Sequence, residues 1–286
     1  MSTSKAVPSL ESTYFSGASL QPYPRLPPDY PENDWGAYAE ARSVPIPPRT
    51  ANVSIILDKR LLYSTRRISH VWTAHVHNPL PNATYPSTVV AKIYDPIYFD
   101  SGEAEYFDPF SFLDLYVSKE TQAYQRLQRL YGTKVPRFYG HFVAPLPTQH
   151  DRTVNVVLLE YIHGRDIRDL VPREREDALC STHNHALIDA ALRLYFDVLA
   201  LGVEQNDMQP RNVILRPRRQ DGPFCSTEGC PLLDEADCKY MQMAMVDFEV
   251  VEFREPDGQF SDPVSQASYI DKVKSLYHEG WLKDMI

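Results

Sequence analysis

Nine of the chain's 24 prolines lie within its first fifty residues, at Pro8, Pro22, Pro24, Pro27, Pro28, Pro31, Pro45, Pro47 and Pro48. Proline fixes φ and donates no amide hydrogen bond, so this stretch is read as extended or wrapped along a surface. Tyr23, Tyr30, Trp35 and Tyr38 give it aromatic side chains with which to dock. Residues 1–50 therefore read as a Pro-rich N-terminal extension, and as a candidate ligand for a protein partner.

Strand-like runs follow. Val53–Leu57, Ser69–Val76 and Thr88–Tyr94 are rich in β-branched and aromatic residues and predict an antiparallel sheet. A helix is predicted over Ser118–Tyr131, with Ser118 as its N-cap and Gly132 closing it. Two more apolar runs, Arg137–Val143 and Val154–Ile162, bracket a proline-containing hairpin, and a buried helix is predicted from about His185. Residues 216–240 read as a polar insertion before a short strand, Met243–Val246, and the tail carries a helical pattern through Tyr269, Val273, Leu276 and Tyr277.

Composition narrows the function. Apolar residues make up 43%, enough for a core, and 29 Lys and Arg stand against 38 Asp and Glu. A net charge of −9 disfavours nucleic acid as a partner. Lys59-Arg60 and Arg66-Arg67 are too short for a basic patch. Cys180, Cys225, Cys230 and Cys238 give no disulfide framework, and the last three offer only a loose zinc spacing with no fourth ligand. The N-terminus lacks the apolar core of a secretory signal, and no apolar run is long enough to span a membrane. The expectation is a soluble cytoplasmic protein with no membrane partner. His141, His163, His183 and His185 show no ligand spacing and read as surface or packing residues.

Lys92 stands in an apolar strand on the face of Val90 and Tyr94, because strand side chains alternate. Glu120 stands on the helical stripe of Tyr124, Leu127 and Tyr131. Each charge in an apolar setting needs water, a ligand or an opposite charge. Either the two meet, or both snorkel to the surface.

A second group lies in Gln205–Asn212. Asp207 and Asn212, five residues apart on a tight loop containing Pro210, can converge on one point. Asp247 ends an apolar strand and precedes Phe248 and Glu249. The oxygens of Asn212 and Asp247 suit Mg²⁺, leaving Asp207 to receive a hydroxyl proton. Taken singly, such residues are more often turn or cap formers.

Lys92, Glu120, the connection Leu159-Glu160-Tyr161-Ile162, Asp207 with Asn212, and Asp247-Phe248, in this order, resemble the protein-kinase-like superfamily. That superfamily includes protein kinases and phosphotransferases similar to aminoglycoside and choline kinases. The resemblance covers about residues 51–250 and implies a bilobal α+β fold. It implies an N-lobe over 51–160, an antiparallel sheet with one helix, and a reduced, mainly helical C-lobe over 161–286.

It further implies ATP and Mg²⁺. Lys92 would hold the α- and β-phosphates, Glu120 would position Lys92, and Leu159 would be the gatekeeper. Backbone groups of Glu160 and Ile162 would bind adenine beside Val90. Asp207 would be the catalytic aspartate, Asn212 and Asp247 the metal ligands, and Arg211 an added positive charge.

The chain also departs from that pattern. The phosphate loop Tyr63–His70 has no glycine, so Ser64, Arg66 and Ser69 stand where backbone amides should approach phosphate. Gln205-Asn206 replaces the usual His-Arg or His-Gly, and Glu249 replaces a glycine. Asp-Phe-Glu leans toward small-molecule substrates. No Ala-Pro-Glu anchor follows, which disfavours a protein kinase. The resemblance leaves two readings, a phosphotransferase for the hydroxyl of a small metabolite and a pseudokinase that binds without turnover.

Overall fold

The computed structural model describes residues 10–24, 53–61, 68–78, 85–98, 109–146, 152–167, 181–216 and 242–278. The loop residues Ser64 and Arg66, the four cysteines and most of the 216–240 insertion lie outside them. The chain divides into two compact units, one of Met1–Gln122 with Phe138–Tyr161 and one of Ala123–Arg137 with Ile162–Ile286. The make-up is α+β.

The first unit is one antiparallel sheet of β1 (Ser19–Leu20), β2 (Tyr23–Pro24), β3 (Ser54–Arg60), β4 (His70–Asn78), β5 (Thr88–Tyr94), β6 (Phe138–Leu146) and β7 (Arg152–Glu160). Its spatial order is β1-β3-β4-β5-β7-β6-β2. β1 and β2 stand at opposite ends of that order, yet only Gln21 and Pro22 separate them in sequence. Two residues span about 7 Å, so the sheet must curl until its outer strands β3 and β6 come together. Part of the proline-rich extension thus belongs to the sheet. Pro24 stands on a two-residue edge strand, where a missing amide costs the ladder least.

The curl encloses an apolar interior. Ile55, Leu57, Trp72, Ala91, Ile93, Phe142, Val156 and Leu158 are buried in it, with Tyr14 and Leu20 of the extension. In β5 the interior takes Val89, Ala91 and Ile93, which turns Val90, Lys92 and Tyr94 to the other face.

The segment before β1 is held by a buried polar group. It begins with one helical turn, α1 (Leu10–Thr13). The Tyr14 hydroxyl donates to Asp95 Oδ2 at 2.6 Å, and the Tyr14 ring stacks on His70 at 6.1 Å between centroids. Burial, with Arg60 nearby, holds the His70 pKa down to about 4, against a smaller upward pull from Asp95. A histidine lowered below its unfolded value of about 6.5 favours the folded state while neutral. That stability is present above pH 6.5 and is lost as pH falls toward 4. We expect a loss of roughly 2–3 kcal/mol between pH 7 and pH 4, and a smaller loss in His70→Phe. Urea unfolding at the two pH values measures both; parallel losses in the two proteins would exclude this cause.

The long helix α2 runs over Pro109–Arg126, and the boundary between the units falls within it. It starts nine residues before the predicted N-cap, leaving Ser118 in its interior. Pro109 explains the start, since a proline at the first helical position gives up an amide that has no partner there. Leu127 and a 3₁₀ turn, Gln128–Leu130, end it, and Gly132 at φ +72° reverses the chain.

The second unit contains α3 (Ser181–Leu199) and α4 (Pro263–His278), a sheet of β8 (Arg165–Asp166), β10 (Val213–Leu215) and β11 (Met243–Met245), and a pair of β9 (Val203–Gln205) with β12 (Val251–Phe253). Phe196 of α3 stacks on Phe260 at 5.5 Å, and both rings meet Tyr269 of α4. Gly202, at φ +76°, turns α3 into β9 where a Cβ would collide with the Arg254 carbonyl. Among the described residues, no helix is long and apolar enough to cross a membrane.

Candidate functional site

In the first unit the structure brings Lys92 and Glu120 together. Lys92 Nζ lies 2.7 Å from Glu120 Oε1, with side-chain exposures of 5% and 0%. Snorkelling is therefore excluded for both. The second carboxylate oxygen accepts from the Tyr94 hydroxyl. The two charged groups survive burial because the carboxylate has a strong donor at each oxygen. Tyr94 was not singled out from the sequence, although its place two residues along the strand from Lys92 puts it on the same face.

The same face continues across the sheet. Val90 pairs in register with Leu159, and Lys92 with Val157. Leu159 is buried, Glu160 ends β7, and Ser69, buried, precedes β4. Ile162 is buried in the second unit.

In the second unit, Asp207, Asn212 and Asp247 lie on two loops laced together. Pro210–Asn212 forms a 3₁₀ turn, closed by the Asn212 amide donating to the Gln209 carbonyl at 2.9 Å. Asn212 Nδ2 donates to the Asp207 carbonyl at 2.9 Å and to Asp207 Oδ2 at 3.0 Å. Its amide nitrogen is thereby committed to Asp207, which leaves Oδ1 as the atom suited to a hard cation. The Val246 amide donates to the Asn212 carbonyl at 2.8 Å, tying the turn to the residue before Asp247. Asp247 is the one described non-glycine residue with positive φ, at 67°. A short polar side chain tolerates that conformation best.

Gln205, buried, bridges both loops. Its Nε2 donates to the Asp247 carbonyl at 2.6 Å, and its Oε1 accepts from the Asp207 amide at 3.1 Å. A primary amide is both donor and acceptor, so one side chain can hold the two backbones.

Arg211 faces Asp207. Its Nη2 donates to both Asp207 oxygens, at 2.8 and 2.6 Å, so its charge is directed at the carboxylate. The cause is local: the tight turn at Pro210 brings the two side chains together. His141 and His183, read as surface or packing residues, are both buried, and His141 Nε2 contacts Asn155 Oδ1 at 3.0 Å. Among the described residues no group of three or more His, Cys, Asp or Glu side chains forms a metal-binding cluster.

No protein-family model matches the chain, and no curated protein matches it in sequence. Its structure is similar to kinase domains. The PknI kinase domain of Mycobacterium tuberculosis is 14% identical with a TM-score of 0.41, over 68% of this chain and 60% of that one. The BubR1 kinase domain is 13% identical with a TM-score of 0.44, over 71% and 48%. WaaP, solved in complex with acyl carrier protein, is 12% identical with a TM-score of 0.42, over 80% and 89%. The chain thus spans about 60% of the length of the PknI domain it matches. These likenesses concern the fold alone, and they are remote. The architecture of the described residues is α+β, a curled antiparallel sheet in the first unit and helices with short strands in the second.

Proposed function

We propose that the chain is an ATP- and Mg²⁺-dependent phosphotransferase that moves the γ-phosphoryl group to a hydroxyl of a small metabolite. The buried Lys92–Glu120 pair is the observation that carries this reading, because a lysine kept charged inside a strand has a use for its charge. Residues 51–160 and 161–286 are read as the two lobes, after the extension 1–50.

Lys92 would hold the α- and β-phosphates, with Glu120 and Tyr94 fixing its ammonium. Val90 and Leu159 would line the adenine pocket, and the backbones of Glu160 and Ile162 would bind its edge. The serines at 64 and 69 and Arg66 would serve the phosphates. The Oδ1 of Asn212 and the carboxylate of Asp247 fit a hard cation and would hold Mg²⁺, with Gln205 keeping their loops in place. Bound there, Mg²⁺ would neutralise phosphate charge. The acceptor oxygen bonds to the γ-phosphorus, the bond to the β–γ bridging oxygen breaks, and the hydroxyl proton passes to Asp207.

A second reading is favoured by Arg211. Its hold on both Asp207 oxygens means that a hydroxyl must share or displace it, which suits a nucleotide-binding module without turnover. ATP titration with and without Mg²⁺ tests the shared part. Wild type should gain about 3 kcal/mol at a hundredfold excess over Kd. Asp247→Ala should lose the Mg²⁺-dependent part, and Lys92→Met the whole. No shift in wild type under either condition would overturn nucleotide binding. Turnover with a panel of hydroxylated metabolites, abolished in Asp207→Ala, separates the enzyme from the binding module.

A further inference from the structure

Beside the Lys92–Glu120 pair lies a second polar bridge between sheet and helix. Asn155 Nδ2 donates to Asp114 Oδ1 at 3.1 Å, and Asn155 Oδ1 contacts His141 Nε2 at 3.0 Å. The carboxylate only accepts, so it turns the Asn155 amide nitrogen toward α2. The amide oxygen must then face His141, which donates through Nε2. The orientation of all three groups is thereby determined.

Register places this bridge next to the charged pair. Lys92, Val157 and His141 form one row across β5, β7 and β6, and Tyr94, Asn155 and Val143 form the next. Tyr94 and Asn155 are direct neighbours across β5 and β7. Tyr94 reaches Glu120, and Asn155 reaches Asp114.

On α2 the two attachment points are six residues apart. At 3.6 residues per turn that separates them by about 9 Å along the axis and about 120° around it. The buried stripe of Leu113, Val117 and Tyr124 runs between them, Glu120 on one flank and Asp114 on the other. An apolar stripe alone tolerates small rolls of a helix, because dispersion has little direction. One hydrogen-bonded anchor leaves rotation about itself. Two anchors on opposite flanks stop both roll and slide.

We propose that Asn155, bridging Asp114 and His141, is a positioning residue that fixes the roll of α2 and so keeps Glu120 on Lys92. The proposal deepens the phosphotransferase reading in its consequence for nucleotide, but the state of the ion pair can be read without nucleotide.

The test measures the acylation rate of Lys92 by an amine-reactive acetylating reagent, quantified by peptide mass spectrometry, with the exposed Lys272 as internal reference. Asn155→Leu keeps the branched side-chain shape and removes both hydrogen bonds. It should acylate Lys92 about tenfold faster than wild type, the change in open population expected when a buried hydrogen bond is lost. His141→Phe should do so to a smaller extent. Asn155→Asp sets two carboxylates together and should also open the site. Adding Asp114→Asn to it exchanges donor and acceptor and should restore the wild-type rate.

Wild-type Lys92 rates in Asn155→Leu and His141→Phe would overturn the proposal. So would a double exchange as reactive as its single parent. A faster rate accompanied by loss of cooperative melting would also overturn it, since the bridge would then be part of the core. Separately, a wild type that binds no ATP would sink the nucleotide reading and leave the lysine comparison intact.

Discussion

Replacing Glu120 by alanine should destabilise the protein by about 3–5 kcal/mol, because it leaves the Lys92 ammonium buried without its carboxylate. It also takes away the acceptor of the Tyr94 hydroxyl. The desolvation cost of a buried pair nearly offsets its mutual attraction, so removing both charges together should behave differently. The double variant Lys92→Met, Glu120→Leu should recover most of the lost stability while binding no nucleotide. Lys134 and Asp197 supply the contrast, being a pair with side-chain exposures of 43% and 22%. Breaking it with Lys134→Met should cost about 0–1 kcal/mol. Urea midpoints of the four proteins measure these differences. Equal losses in the single and double variants would mean that Glu120 is needed for packing, and the argument from buried charge would fail.

Removal of residues 1–24 should be still more damaging. It uncovers both outer strands of the curled sheet, since β1 pairs with β3 and β2 with β6. It also takes Tyr14 and Leu20 from the interior, each stabilising by about 1.5–3 kcal/mol through burial. Unpaired strand edges invite association between chains. The shortened protein should therefore elute as aggregate in size-exclusion chromatography and lack a cooperative melt. Tyr14→Phe isolates the single hydrogen bond to Asp95 and should cost about 1.5–3 kcal/mol, the range for a bond to a charged acceptor. A monomeric shortened protein with the wild-type melting temperature would show that the segment is dispensable.

The extension also shows how far composition carries. Nine prolines argue for a chain that is extended or wrapped along a surface. They did not exclude two-residue edge strands, where proline is tolerated and the remaining amides still pair. Nothing local distinguishes Ser19-Leu20 from other short apolar stretches; the distant β3 makes it a strand. The same holds for α2. Its amphipathic stripe was legible, but its start depended on Pro109, whose fit to a first helical turn competes with its general hostility to helices.

The candidate site divides in a similar way. The residue types at Lys92, Glu120, Asp207, Asn212 and Asp247, and their order, are local facts of the sequence, and strand alternation and helical periodicity already set the first two on apolar faces. Those faces made a buried pair the economical solution. Which groups complete each environment was decided by the tertiary structure. Tyr94 on Glu120, Gln205 between two backbone loops, Arg211 on Asp207 and Asn155 between Asp114 and His141 depend on distances across strands and turns.

What the sequence determined by itself is thus a sheet-then-helix order, a set of charges that cannot stay buried alone, and a proline-rich extension disposed to extended backbone. Those follow from backbone sterics and from the cost of desolvating charge, both of which act residue by residue. Only the tertiary structure decided that the extension closes the sheet, that α2 is anchored on both flanks, and that Arg211 turns to Asp207. Pairing and side-chain direction are properties of segments far apart in the chain, and they exist only once the chain has folded.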